Sequence, residues 1–198
     1  MLSSQNIVGA PSMIPAPRRA EKDKSRLRLA EPSMDLEQAF HKVTADYLAA
    51  GESRYTDLSE TLGLAFDNYI KSLQRECLER DLSDGRVPCS AFWMLSDQET
   101  ICGISRLRHY LTPEMELEGG HVSLEVPPSL RRRGYGSLLL EMTLERAVEL
   151  KITKALLTCD WDNFGGIRVI KNNGGMLENT ILSTRTGKKV MRFWIDLI

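Results

Sequence analysis

Cysteine and histidine are scarce: four and three residues in a chain of 198, and neither type clusters. Cys77, Cys89, Cys102 and Cys159 form no C-x-x-C pair, so they read as free thiols of a reducing cytoplasm rather than a redox dithiol or zinc knuckle. His41, His109 and His121 have no partner at ligand spacing, and no metal is expected. The sequence shows no apolar run long enough for a bilayer and no secretory h-region. No membrane partner is therefore expected, and the expected location is cytoplasmic. A formal net charge of −1 gives no basic excess for gripping nucleic acid. No internal repeat is visible, which sets aside the solenoids and propellers.

What is present suits one hydrophobic core, with 42% apolar and 27% charged residues. Residues 1–25, with "VGAPSMIPAP" and the mixed-charge "RRAEKDKSR", read as a flexible leader, and residues 26–198 as a single domain. "LRLAEPS" reads as a first strand. Leu36, Phe40, Val43 and Tyr47 form one helical stripe, with Ser33 or Asp35 as cap and Gly51 as terminator. Leu62, Phe66, Ile70, Leu73 and Cys77 mark a second helix.

The pattern then changes to strands. "SAFWML" and "TICGISRLRHY" flank the turn-like "SDQE" as a hairpin. In "GGHVSLEV", His121, Ser123 and Glu125 alternate with Val122, Leu124 and Val126, so the two sets point to opposite faces of a sheet, and "PP" ends the strand. Further on come a helix, the strand "KALLTC", the short helix "NFGGIRVIKNNGG" closed by glycines, and a hairpin turning near Thr186 and Gly187. The final strand, "VMRFWIDLI", alternates apolar residues and offers an edge for a homodimer.

One stretch carries chemistry. "RRRGYGSLLLEMTLERAVELK", residues 131–151, sets three arginines and two glycines at the start of a helix. Helix starts present unpaired N–H groups with partial positive charge, and glycines let a large anion approach them. In the helix itself, Leu139, Met142, Val148 and Leu150 are expected to be buried, and Glu141, Glu145 and Glu149 solvated. A plain tight turn with a solvated arginine run is the competing reading. Two familiar phosphate loops are excluded by their parts: no Lys-Ser or Lys-Thr stands at Walker spacing, and the third Rossmann glycine would fall on Leu139.

Arg131-Arg132-Arg133-Gly134-Tyr135-Gly136 matches the R-x-x-G-x-G signature of the GNAT superfamily of N-acetyltransferases. The upstream V-x-P and the downstream "CDWDNFGGIRVIKNNGG" fall where that family has its fourth strand, fifth strand and following helix. The resemblance in element order spans residues 26–198, and "PCSAFWML", "GGHVSLEV" and "NGGMLEN" are similar to a bacterial branch of GNAT-domain proteins. It implies an α/β (α+β) fold, a mixed and mostly antiparallel sheet of about seven strands flanked by about four helices, with strands four and five splayed apart.

It implies acetyl-CoA as cosubstrate, its pyrophosphate on the loop of Arg131, Arg132, Arg133, Gly134, Tyr135, Gly136 and Ser137. Its pantetheine arm would lie along the backbone of Leu124 and Val126, whose amides polarise the thioester carbonyl, and Asn163 would touch the arm. Asn163 also suits the N-cap of the helix starting at Phe164, and the two roles are compatible. The partner is a primary amine, on a small molecule or a peptide. Glu125, His121 and Asp160 are the candidate bases, each with a plain alternative as an exposed strand residue, a hydrogen-bonded partner or a turn residue. The helical segment 57–80 corresponds to the family's acceptor wall.

Where the family often has a proton-donating tyrosine this chain has Ile170, which cannot donate. Water, Tyr135 or Cys159 would take over, although Cys159 also reads as a core thiol. A non-catalytic acyl-CoA sensor or interaction module is the alternative to an enzyme, and a phosphate-contact protein using the arginines the third reading.

Overall fold

The computed structural model describes residues 24–55, 64–78 and 86–197. Nearly all of the expected leader, and residues 57–63 (with Leu62) and 79–80 of the expected acceptor wall, lie outside them. Seven strands form two antiparallel sheets. The first has the order β1 (Leu27–Ala30), β2 (Cys89–Ser96), β3 (Ile101–Arg108), β4 (Val122–Glu125); the second has β5 (Lys154–Asp160), then β7 (Lys189–Asp196), then β6 (Met176–Leu182). Five α-helices accompany them among the described residues: α1 (Glu37–Ala49), α2 (Leu64–Leu78), α3 (Pro113–Leu117), α4 (Tyr135–Glu149) and α5 (Phe164–Asn172).

The two faces of the first sheet follow from strand alternation. Trp93, Leu95 and Ile101 point to one side, where α1 and α2 cover them with Phe40, Tyr47, Phe66 and Ile70; Met94 and Cys102 point to the other, against Leu138 and Leu139 of α4. Of the stripes expected of α1 and α2, Leu36, Phe40, Val43 and Tyr47 and then Phe66, Ile70 and Leu73 are buried, while Cys77 is half-buried. Gly51 ends α1 at φ +73°, whereas neither proposed cap holds it: a 3-10 turn, Met34–Leu36, precedes the helix and Ser33 makes no side-chain cap bond.

Three expectations need correction. In α4 the buried face is Leu138, Leu139, Leu140, Thr143, Leu144 and Ala147, while Val148 and Leu150 are exposed. The helix packs on β3 with Ala147 still buried in its last turn, and Val148 falls at helical spacing on the exposed face of Glu141 and Glu145. Helix α3 was not expected, because five residues carry no hydrophobic period. Its start is nevertheless written in "TPEM", since Thr112 Oγ1 accepts from Met115 N at 3.4 Å and Pro113 occupies the first turn. The final strand offers no edge for a partner, because β7 is paired on both sides; the edge belongs to β6.

What positions the site is the seam between the sheets. A single isolated bridge, Gly120 to Leu157, joins β5 to the residues before β4. His121 N donates to Leu156 O at 2.7 Å, and Leu156 N donates back to His121 Nδ1 at 3.0 Å. Gly119 N reaches Thr158 Oγ1 at 3.1 Å. Beyond these residues β4 pairs with β3 alone and β5 with β7 alone, so the sheets part.

Candidate active site

The helix-start loop is built by the chain's exit from β4. Pro127 and Pro128 stop the strand, and a 3-10 turn (Pro128–Leu130) follows, pinned to α1 where Ser129 N and Oγ donate to Asp46 Oδ2 at 3.0 and 2.9 Å. Arg132 (φ +61°) and the N-cap Gly134 (φ +92°) then adopt left-handed conformations, a local geometry that makes anion-binding concavities from successive N–H groups. The arginines divide. Arg131 is committed to the protein, donating from Nη1 and Nη2 to Glu52 at 2.5 and 2.9 Å and from Nε to Val126 O at 3.0 Å, with its guanidinium 5.7 Å from the Tyr47 ring centroid. Glu52 is correspondingly held below the usual carboxylate range, chiefly by its bond to Arg131. Arg132 and Arg133 are exposed.

The first turn of α4 is docked on α5. A Cβ on Gly136 would meet Val169 Cγ2 at 3.0 Å, so only a glycine allows this approach without a shift. Ser137 accepts twice, at Oγ from Asn172 Nδ2 (3.2 Å) and at its carbonyl from Asn173 Nδ2 (3.1 Å). Tyr135 packs against the Met94, Leu138 and Leu139 cluster.

Glu125, the last residue of β4, gathers three side-chain donors. Its carboxylate accepts from Arg54 Nη1 at 2.5 Å, from Tyr47 Oη at 3.3 Å and from Tyr55 Oη. The tyrosines are fixed by aromatic packing: Phe40 lies 5.1 Å from both Tyr55 and Trp93, and Tyr47 is 5.9 Å from Tyr55. Burial, then the charge of Glu125, pushes Tyr47 up to about 12 and Tyr55 higher still, so both remain hydroxyl donors at neutral pH. Behind them Tyr69 is also raised to about 12 by burial, and Arg106 pairs with Glu76. Arg54 and Tyr55 lie on the loop after α1, where the sequence carries no period or motif to mark them; Tyr47 read only as part of a core stripe.

His121 and Glu125 have no hydrogen-bond partner in common. His121 is buried at the seam, and burial, with the nearby Arg108 cation, holds it below the usual histidine range. Nδ1 accepts from Leu156 N, so that nitrogen carries no proton. The consequence for stability has a definite sign. An unfolded histidine takes up a proton near its ordinary value of 6.5, while the folded one resists protonation until lower pH. The stabilisation is complete above about pH 6.5 and is lost as pH falls toward the depressed folded value. His109, lowered by burial, adds to the loss in the same direction. His121→Asn, which can present Oδ1 to Leu156 N, is expected to shrink the loss seen by denaturant titration between about pH 6.5 and 5. His121→Ala should cost about 1–3 kcal/mol at neutral pH by orphaning that N–H.

Asp160 ends β5, exposed, and its carbonyl accepts from Asn163 N at 3.0 Å. Asn163 caps α5, its Oδ1 accepting from Gly166 N at 2.9 Å. Cys159 is a buried thiol whose pKa burial pushes up to about 11, and Gly166 is packed so closely that a Cβ there would meet its Sγ at 2.7 Å. Ile170 is buried in the core cluster that holds Cys159. Among the described residues no group of three or more metal-ligating side chains occurs, and no helix is long and apolar enough to cross a membrane. No disulfide joins Cys77, Cys89, Cys102 and Cys159.

Comparison with known proteins agrees with this layout. Among curated protein sequences none matches the chain. Solved structures share the fold at low identity. The yncA protein of Salmonella typhimurium, with its cofactor acetyl-CoA, is 11% identical at TM-score 0.57, covering 87% of this chain and 95% of its own. A Salmonella typhimurium acetyltransferase that modifies the N-terminal serine of a 50S ribosomal subunit protein is 12% identical at TM-score 0.60, with 87% and 95% covered. The spermidine/spermine N-acetyltransferase SpeG of Vibrio cholerae is 13% identical at TM-score 0.58, with 88% and 94% covered. The family model for the GNAT acetyltransferases matches residues 56–174, more than half the chain and inclusive of β4, the glycine loop, β5 and α5. With that match added to the loop and the parted sheets, the chain belongs to the GNAT family of acetyltransferases, whose cosubstrate is acetyl-CoA.

Proposed function

We propose that this protein transfers the acetyl group of acetyl-CoA to a primary amine by direct attack in a ternary complex, with Glu125 as the base. The observation that carries the reading is the position of Glu125. It closes β4 immediately before the left-handed loop at the start of α4, where the sheets part, and three donors fix its carboxylate.

The residues present suit acetyl-CoA. The loop offers left-handed backbone at Arg132 and Gly134, a fifteen-residue helix behind it and the exposed Arg132 and Arg133 for the pyrophosphate. Arg131, held by Glu52 and Val126 O, stiffens the loop. The backbone of Leu124 and Val126 and the side chain of Asn163 are the groups for the pantetheine arm. Bound acetyl-CoA supplies a thioester whose carbonyl carbon is the electrophile.

The amine must be neutral to attack, and a primary amine with pKa near 10.4 is protonated in all but roughly one molecule in a thousand at neutral pH. Glu125 orients the amine and receives the proton it gives up as the nitrogen–carbon bond forms and the carbon–sulfur bond breaks. Solvent protonates the departing thiolate, an anion stable enough in water to make a side-chain acid dispensable. That accounts for Ile170 at the family's tyrosine position, with Cys159 as a core thiol. His121 is a positioning residue of the seam in this reading.

Two measurements test it. Thiol release from acetyl-CoA should appear with members of a primary-amine panel, and its absence across small-molecule and peptide amines would overturn the transfer reading. Titration calorimetry should show CoA binding that weakens at least about tenfold in Gly134→Val, because a side chain there keeps the pyrophosphate from the loop amides. Unchanged affinity in a variant with parent-like circular dichroism would overturn the placement of the cofactor.

A further inference from the structure

The carboxylate that faces the acceptor already has a cation. Arg54 Nη1 lies 2.5 Å from Glu125 Oε2, and the two side chains differ in exposure, 55% for Arg54 against 15% for Glu125. The pair therefore has a buried anionic end and a solvent-side cationic end. Nearby charges are also balanced. Glu52 is paired with Arg131, which lies over the Tyr47 ring, and Glu76 with Arg106, whose charge is felt by Tyr69 and Tyr55. Among the described residues around Glu125, each of the three carboxylates thus has one arginine.

That balance restricts what can bind. A dicationic or polycationic amine taking Glu125 would displace Arg54 and leave its guanidinium without a partner beside a second positive charge. A neutral monoamine, once protonated, also gains one ion pair and loses one. An acceptor with an ammonium and a carboxylate close together exchanges the internal pair for two new ones, and no charge is left unmatched. Arg54 suits this exchange, since its planar fork grips a carboxylate through two parallel bonds and its half-exposed side chain can turn outward while Glu125 stays held by Tyr47 and Tyr55.

We propose that the acceptor is a zwitterion, a free α-amino acid whose amine meets Glu125 and whose carboxylate takes Arg54. The inference rests on the reading of Glu125 as the acceptor-side base. Arg54 is then a specificity-determining residue, acting by holding the substrate rather than by moving a proton.

The test compares the standard α-amino acids with their C-terminal amides and with spermidine, using thiol release from acetyl-CoA. The free acids should exceed their amides in kcat/KM by about ten- to a hundred-fold, the worth of a charge-assisted bond, and the difference should lie mainly in KM. Arg54→Gln should bring the acid-to-amide ratio close to one, and Arg54→Lys should restore part of it. Amides or spermidine performing as well as the acids, or a ratio that survives Arg54→Gln, would overturn the proposal. Calorimetric titration of the same amino acids and amides into the protein saturated with CoA provides a second readout. Acid-over-amide binding without thiol release would sink the transfer reading while supporting the zwitterion site; no preference in binding would sink the zwitterion site whatever the transfer assay shows.

Discussion

Replacing Glu125 by Gln is expected to lower kcat by about a hundred- to a thousand-fold while CoA affinity stays near that of the parent protein. The exchange keeps the length and shape of the side chain: the amide oxygen can take the place of Oε2 and accept from Tyr47 and Arg54, while the Tyr55 hydroxyl can turn to accept from the amide nitrogen that replaces Oε1. What is lost is an oxygen able to take the amine's proton, so the effect belongs in the chemical step. The acidic limb of kcat/KM against pH should disappear or move, because that limb reports the essential base of the free enzyme. A rate and pH profile like the parent's would remove Glu125 from the mechanism and leave Asp160, exposed at the end of β5, or a water as proton acceptor. A collapse of CoA affinity alongside kcat would instead mean that Glu125 holds the cofactor side of β4 in place.

The largest structural effect is expected at Gly120. It adopts φ +65°, and a Cβ there would meet Leu156 O at 2.4 Å, Leu156 C at 3.0 Å and Leu157 Cα at 3.2 Å, all of them backbone. Neither strand can yield alone, since the neighbouring His121 and Leu156 are tied by two hydrogen bonds and β5 is paired along its length with β7. Gly120→Ala should therefore cost ~2–4 kcal/mol, adding a steric shift at the bridge that joins the sheets to the strain of left-handed backbone. For a chain of this size that lowers Tm by roughly 5–15 °C. Gly187→Ala is the matched control: its φ is +69°, but nothing lies within 4 Å of the added carbon. It bears the backbone strain alone and should cost about 1 kcal/mol. Equal losses in the two variants would show that strain, rather than the seam, dominates at Gly120.

Sequence by itself determined most of the elements and the glycine loop at the start of α4. Phe40, Val43 and Tyr47, or Phe66, Ile70 and Leu73, face the core because a helical period places them there whatever the neighbours are. The hairpins at 97–100 and around Gly187 follow from turn chemistry, and the loop at Gly134 and Gly136 is legible because backbone that a side chain would obstruct has to be written as glycine. Each of these is local physics, settled within a few residues of chain. The tertiary structure decided the rest. It set the buried face of α4 on Leu140, Leu144 and Ala147, which leaves Val148 on the face of Glu141 and Glu145, since the rotation of a helix about its axis is fixed by what it packs against. It put β7 inside its sheet and β6 at the edge. It also brought Tyr47, Arg54 and Tyr55 to Glu125 across separations of 70 to 78 residues, and turned Arg131 back onto Glu52 across 79. Such contacts leave no period or spacing in the sequence, because a hydrogen bond between distant segments constrains only where the two ends meet, and that meeting point is set by the packing of α1 against the sheet.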